Sequence, residues 1–122
     1  MNEPVLNSLR DSDALKQALD GSAEQPLLIF KHSLTCPIST RAYQELKRFL
    51  QDEKSRQVQC ALVIVQTARS VSNEIAARLN IQHESPQAIL VKDGRAVWNT
   101  SHFNITCQSL TQALSAIDGK AD

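Results

Sequence analysis

The sequence predicts an α/β protein whose mixed, four- to five-stranded sheet is covered by helices on both faces. Three observations carry that expectation. Leu27-Leu28-Ile29-Phe30 and Cys60-Ala61-Leu62-Val63-Ile64-Val65 are continuous apolar runs of strand length, apolar residues recur at helical spacing around them, and Asp93-Gly94 separates two further apolar runs. Runs that are apolar at every position, rather than at alternate ones, suit strands buried on both faces, the setting of parallel strands joined through helices. At 122 residues the chain can bury a core without disulfide staples, and one domain across residues 1–122 is expected.

The elements follow in order. Leu6-Asn7-Ser8-Leu9 is a candidate short edge strand. Leu15 and Leu19, four apart with Ala14 and Ala18 alongside, predict a first helix from Asp11 to Asp20, with Asp11 or Ser12 as its cap. Gly21-Ser22 and Pro26 interrupt it before the run at 27–30, which should be a central strand. Ala42, Tyr43, Leu46, Phe49 and Leu50 then recur at helical spacing, leaving Arg41, Lys47 and Arg48 for solvent. With the run at 60–65 behind it, this helix completes a strand–helix–strand unit, which implies parallel strands and a right-handed crossover. Val71, Ile75 and Leu79 mark a third helix ending near Asn80, a residue that tolerates the left-handed conformation. Ala88–Val91 and Ala96–Trp98 flank Lys92-Asp93-Gly94-Arg95, a strong hairpin signal, with Trp98 packing on the hairpin. Leu110, Ala113, Leu114 and Ile117 form the last helical stripe, capped by Thr106 and expected to stop at Gly119.

Composition narrows the function. Thirteen basic and thirteen acidic side chains are scattered along the chain, so neither a nucleic-acid footprint nor a polybasic membrane patch is expected. Met1–Asn7 lacks the basic segment and apolar core of a signal peptide, and no apolar run approaches membrane-spanning length. Three widely spaced cysteines argue against a disulfide framework and fit a reducing compartment, so a cytoplasmic protein is expected. Without an H-x-x-x-H or C-x-x-C pair, no metal is expected.

The segment Lys31-His32-Ser33-Leu34-Thr35-Cys36-Pro37-Ile38-Ser39 is where chemistry is expected. It places one cysteine between a strand and a helix, with proline suited to the first helical position. There the unpaired N–H groups and the positive end of the helix dipole favour a thiolate. Ser39 stands where a dithiol site would carry its second cysteine. A dithiol ejects its mixed-disulfide partner with that second thiol; a C-x-x-S site stops until an external thiol arrives. The Ser39 hydroxyl could instead donate to the Cys36 sulfur. His32 is a candidate for tuning the ionisation of Cys36, set against a plainer role as a hydrogen-bonded structural residue; His83 and His102 have weaker claims. Lys31 and Arg41 add local positive potential, although each also reads as solvated surface charge. Cys60 and Cys107 read as packing residues rather than resolving thiols. Only four residues separate Cys36 from Arg41, which excludes the C-x₅-R loop of cysteine phosphatases and some arsenate reductases.

Cys36-Pro37-Ile38-Ser39 at a strand-to-helix junction, Ser85-Pro86 before the hairpin and the Asp93-Gly94 turn together resemble the thioredoxin superfamily. More narrowly, Phe30-Lys31-His32-Ser33 with Thr35-Cys36-Pro37-Ile38-Ser39, then Val71-Ser72-Asn73, then His83-Glu84-Ser85-Pro86-Gln87, resembles the YtxJ-type monothiol bacilliredoxins, from about Leu28 to Thr106. The resemblance implies a thioredoxin-like fold with no bound cofactor and bacillithiol as the exchanging thiol. Cys36 would take bacillithiol from S-bacillithiolated proteins and be regenerated by a small thiol or a reductase. Thr35, Pro37, Ile38 and Ser39 would complete the active-site motif. Ser85 and Pro86 would line the substrate groove, with Pro86 cis and beside the cysteine. A monothiol glutaredoxin-like protein using another small thiol, and a redox-inert thioredoxin-like module that binds peptides, are the alternatives.

Overall fold

The structure, a computed structural model, describes residues 6–120. The part of the signal-peptide reading that falls on Met1–Val5 lies outside the described residues. Among the described residues, five strands and four helices follow in the order β1 (Leu6–Ser8), α1 (Ser12–Gly21), β2 (Leu27–His32), α2 (Pro37–Leu50), β3 (Gln59–Ile64), α3 (Arg69–Leu79), β4 (Gln87–Lys92), β5 (Arg95–Ser101) and α4 (Cys107–Lys120). Two 3₁₀ turns that sequence periodicity did not indicate, Glu53–Gln57 and His102–Asn104, join α2 to β3 and β5 to α4. The sheet order is β1-β3-β2-β4-β5. β1, β3 and β2 run parallel, β4 pairs antiparallel with β2 and β5 antiparallel with β4, giving the expected mixed sheet with β2 at its centre.

Alternation along β2 builds two cores. Leu27 and Ile29 face α1 and α3, joining Leu15, Leu19, Val71 and Ile75, while Leu28 and Phe30 join Leu46, Phe49, Leu110 and Leu114 from α2 and α4. Burying each such side chain contributes about 1.5–3 kcal/mol, and this is what presses helices onto both faces.

Local signals close the elements. Asp11 caps α1 by accepting the Ala14 N–H at 2.8 Å. Asn80 ends α3 in the left-handed conformation (φ 55°). Asp93 (φ 54°) and Gly94 (φ 73°) turn the hairpin, and the turn is tied to the buried Ser22, whose carbonyl and Oγ accept the N–H groups of Asp93 and Gly94.

Two departures from expectation matter. α4 runs through Gly119 to Lys120 instead of stopping there; a glycine costs a helix only about 1 kcal/mol against alanine. β2 extends two residues beyond its apolar run, because Lys31 and His32 pair with Val63 and Ile64 of β3. That extension corrects the surface-charge reading of Lys31, which is fully buried. Lys31 also pairs with Gln87 across the antiparallel β2–β4 ladder. The residues that follow β2 and those that precede β4 therefore emerge at the same end of the sheet.

Candidate functional site

Cys36 forms the N-cap of α2, with extended backbone angles (φ −108°, ψ 120°), Pro37 following, and no side-chain capping bond from the thiol. Its carbonyl starts the helix by accepting the Thr40 N–H at 3.1 Å. Proline suits this junction because its φ is already helical and it brings no N–H that would need a partner. Cys36 is half-buried; Thr35 and Pro37 are exposed, and Ile38 is half-buried. An anion at the Cys36 side chain would sit at the positive end of a fourteen-residue helix.

Ser39 is fully buried. Its Oγ accepts the Ser33 N–H at 2.9 Å and lies 2.7 Å from Nδ1 of His32. Burial lowers the His32 pKa below its ordinary value, which favours the neutral ring. The Ser39 hydroxyl is thus engaged by the His32 ring and by the Ser33 N–H. The imidazole also joins a cluster of three stacked rings, 4.8 Å from Tyr43 and 5.8 Å from Phe30, which are themselves 6.0 Å apart. His32 thus reaches the cysteine helix through Ser39.

Sequence reading missed Gln66, in the connection between β3 and α3. Its Oε1 accepts the Leu34 N–H at 3.1 Å and its Nε2 donates to Ser33 Oγ at 2.8 Å, with Thr35 Oγ1 at 3.4 Å. One amide thereby fastens the three-residue approach to Cys36. No spacing motif links positions 33 and 66, so only the fold reveals the pairing.

Ser85 and Pro86 lie at the sheet end from which the cysteine loop emerges, and their peptide bond is cis. Pro86 is buried and its carbonyl accepts the His102 N–H at 3.1 Å. Ser85 Oγ is buried with no hydrogen-bond partner. Beyond His102, the exposed Phe103 ring lies 5.9 Å beneath the Arg41 guanidinium, so the turn after β5 leans on α2. Arg41 is exposed, as a solvated charge should be.

Cys60 is buried within the α2/α4 core, and burial pushes its thiol up to about 12. Cys107 opens α4, packs partly against the same core, and donates its N–H to Glu45 Oε1 at 2.9 Å. All three cysteines are free thiols. His83, given little weight by sequence, lies against Lys31 and Ser72.

A mixed sheet with helices on both faces and a lone cysteine at a strand-to-helix junction defines a thioredoxin-fold protein with a one-cysteine motif. Comparison with known proteins is consistent with this. The family model of the monothiol bacilliredoxin BrxC matches residues 7–110, and the chain belongs to that family. Among solved structures, a protein provisionally termed an oxidoreductase with a thioredoxin fold is 38% identical, with a TM-score of 0.79 over 89% of this chain and 93% of that one. The thioredoxins of Malassezia sympodialis (13% identity, TM-score 0.77, covering 95% and 93%) and Trypanosoma brucei brucei (14%, 0.75, covering 97% and 95%) share the fold. Thiol–disulfide redox chemistry is the function this membership supports. Among the described residues, no helix is long and apolar enough to cross a membrane.

Proposed function

We propose that the protein removes bacillithiol from protein mixed disulfides in the cytoplasm, with Cys36 as the nucleophile of a C-x-x-S site. The Cys36 thiolate attacks the bacillithiol sulfur of a protein–S–S–bacillithiol disulfide. That bond breaks, the client leaves as its thiolate and takes a proton, and Cys36 carries bacillithiol in a new disulfide. A second thiolate, from bacillithiol or a regenerating reductase, attacks this disulfide, returns Cys36 to the thiolate and is itself oxidised to a disulfide with the departing bacillithiol.

The observation that carries this reading is the state of Ser39. The residue three positions after the cysteine is a hydroxyl locked between His32 and the Ser33 N–H. No thiol is present there to eject a bound partner, which suits a catalyst that accepts a small thiol and waits. Ser85 and Pro86 would hold the client backbone beside the cysteine.

The test uses a purified S-bacillithiolated protein as substrate. Wild type should release bacillithiol and show a mass gain on Cys36 that free thiol reverses, while Cys36→Ser should do neither. Release by Cys36→Ser at the wild-type rate would overturn the assignment. Faster turnover of glutathione or coenzyme A mixed disulfides in parallel assays would overturn the bacillithiol specificity alone.

A further inference from the structure

Three sequence blocks far apart in the chain converge on one buried amine. Lys31 Nζ, at the end of β2, donates to the Ser72 carbonyl in the first turn of α3 at 3.2 Å and contacts His83 Nδ1 at 3.1 Å. Ser72 Oγ lies 3.3 Å from the same Nδ1. Among the described residues no carboxylate forms an ion pair with Lys31. An ammonium can only donate, so Nδ1 must be the bare nitrogen and the His83 proton resides on Nε2.

The segment from Ile81 to Pro86 has no regular structure, and these contacts fasten its middle while the His102 N–H on the Pro86 carbonyl holds its end. Besides the His83 contacts, Gln87 Nε2 donates to the Gln82 carbonyl at 3.0 Å and the Ile81 N–H reaches the Ala76 carbonyl at 3.1 Å. His83 stands two residues before Ser85, whose buried hydroxyl has no partner. We infer that Lys31, Ser72 and His83 form a clamp that positions the Ser85–Pro86 edge to receive the disulfide substrate, with Lys31 and His83 as positioning residues. The substrate named here rests on the thiol-exchange function proposed above; the clamp itself does not.

The clamp depends on charge. A proton on Nδ1 would face the ammonium and turn attraction into repulsion. Partial burial of the ring, then Lys31 and Arg69, hold the His83 pKa down, while Glu84 on the loop pulls it up. Glu84 also lies 3.7 Å from His102 Nε2. The clamp therefore closes near neutral pH and opens in acid.

His83 is exposed, so replacing it spares the core. In His83→Ala, amide hydrogen exchange of residues 82–85 and 87 should accelerate about tenfold at fixed pH. KM for a bacillithiolated protein should rise about fivefold while alkylation of Cys36 by iodoacetamide stays unchanged. His83→Asn, which keeps an acceptor near the Nδ1 position, should restore both, and a long-range ¹H–¹⁵N spectrum of wild type should show the Nε2–H tautomer. Unchanged exchange, or the other tautomer, overturns the clamp. Faster exchange with unchanged KM overturns its role toward substrate. If wild type releases no bacillithiol, the proposed function falls, and exchange and tautomer still decide the clamp.

Discussion

The Ser39 hydroxyl and the His32 imidazole meet at 2.7 Å inside the protein, and this pair fills the place where a dithiol site holds its second sulfur. Ser39 binds the cysteine helix to the end of β2 through His32 and to the loop after it through the Ser33 N–H. In this thioredoxin-fold protein the position three residues after the motif's cysteine is thereby a structural joint.

Ser39→Ala strands the Ser33 N–H and His32 Nδ1 in a buried site, at an expected cost of about 1–3 kcal/mol, measurable by urea unfolding. Ser39→Cys should change the chemistry instead. A thiol three residues after Cys36 at a helix start is within disulfide reach, so mild oxidation should remove two hydrogens and bacillithiol should leave Cys36 without an external thiol. A variant that still accumulates the mixed disulfide would refute this.

Acid should weaken the His32 joint. Burial lowers the His32 pKa below 6.5 in the folded protein, so the unfolded chain binds more protons just below that pH and stability falls as pH drops through the window. His32→Asn keeps a polar partner for the Ser39 hydroxyl and cannot titrate. The stability difference between wild type and His32→Asn should therefore shift against wild type on acidification from pH 6.5, and a pH-independent difference would contradict it.

On the alkaline side Lys31 dominates. Burial lowers its pKa from 10.5 to about 8. Below about pH 8 the folded protein bears the cost of a buried ammonium, and that cost is relieved as pH rises from there to 10.5. Relative to Lys31→Met, wild type should gain on the order of 3 kcal/mol across this window. Cys60 acts in the opposite sense, since its stabilising contribution begins to fall above pH 9.0; being common to both proteins, it cancels in the difference. Urea midpoints at several pH values provide the comparison.

Cys60 should be the inert cysteine. With its thiol pushed up to about 12 in a closed core, alkylation at pH 8 should be at least about a hundredfold slower than at Cys36 in the native protein. The difference should vanish in urea. Peptide mapping after timed iodoacetamide treatment reads both conditions, and comparable native rates would place Cys60 outside the core.

Much of the architecture was legible because its causes are local or periodic. Continuous apolar runs predicted β2 and β3, helical spacing predicted the four helices, and Asp93-Gly94 predicted the hairpin. Cys36-Pro37 marked a helix start because proline's fixed φ and absent N–H suit that position wherever it occurs. The partners of the polar residues were not legible. Lys31 looked like a surface cation because charge usually stays in water, yet strand pairing carries it inward, where a carbonyl and a bare imidazole nitrogen receive it. Gln66 on Ser33, Ser39 on His32 and His83 on Lys31 are pairings between elements, which no spacing encodes. The sequence by itself determined the order of elements, the cysteine's place at a helix N-terminus and the missing second thiol. Only the tertiary structure decided what took that thiol's place, because a buried hydrogen bond is chosen by which groups the packed core leaves facing each other.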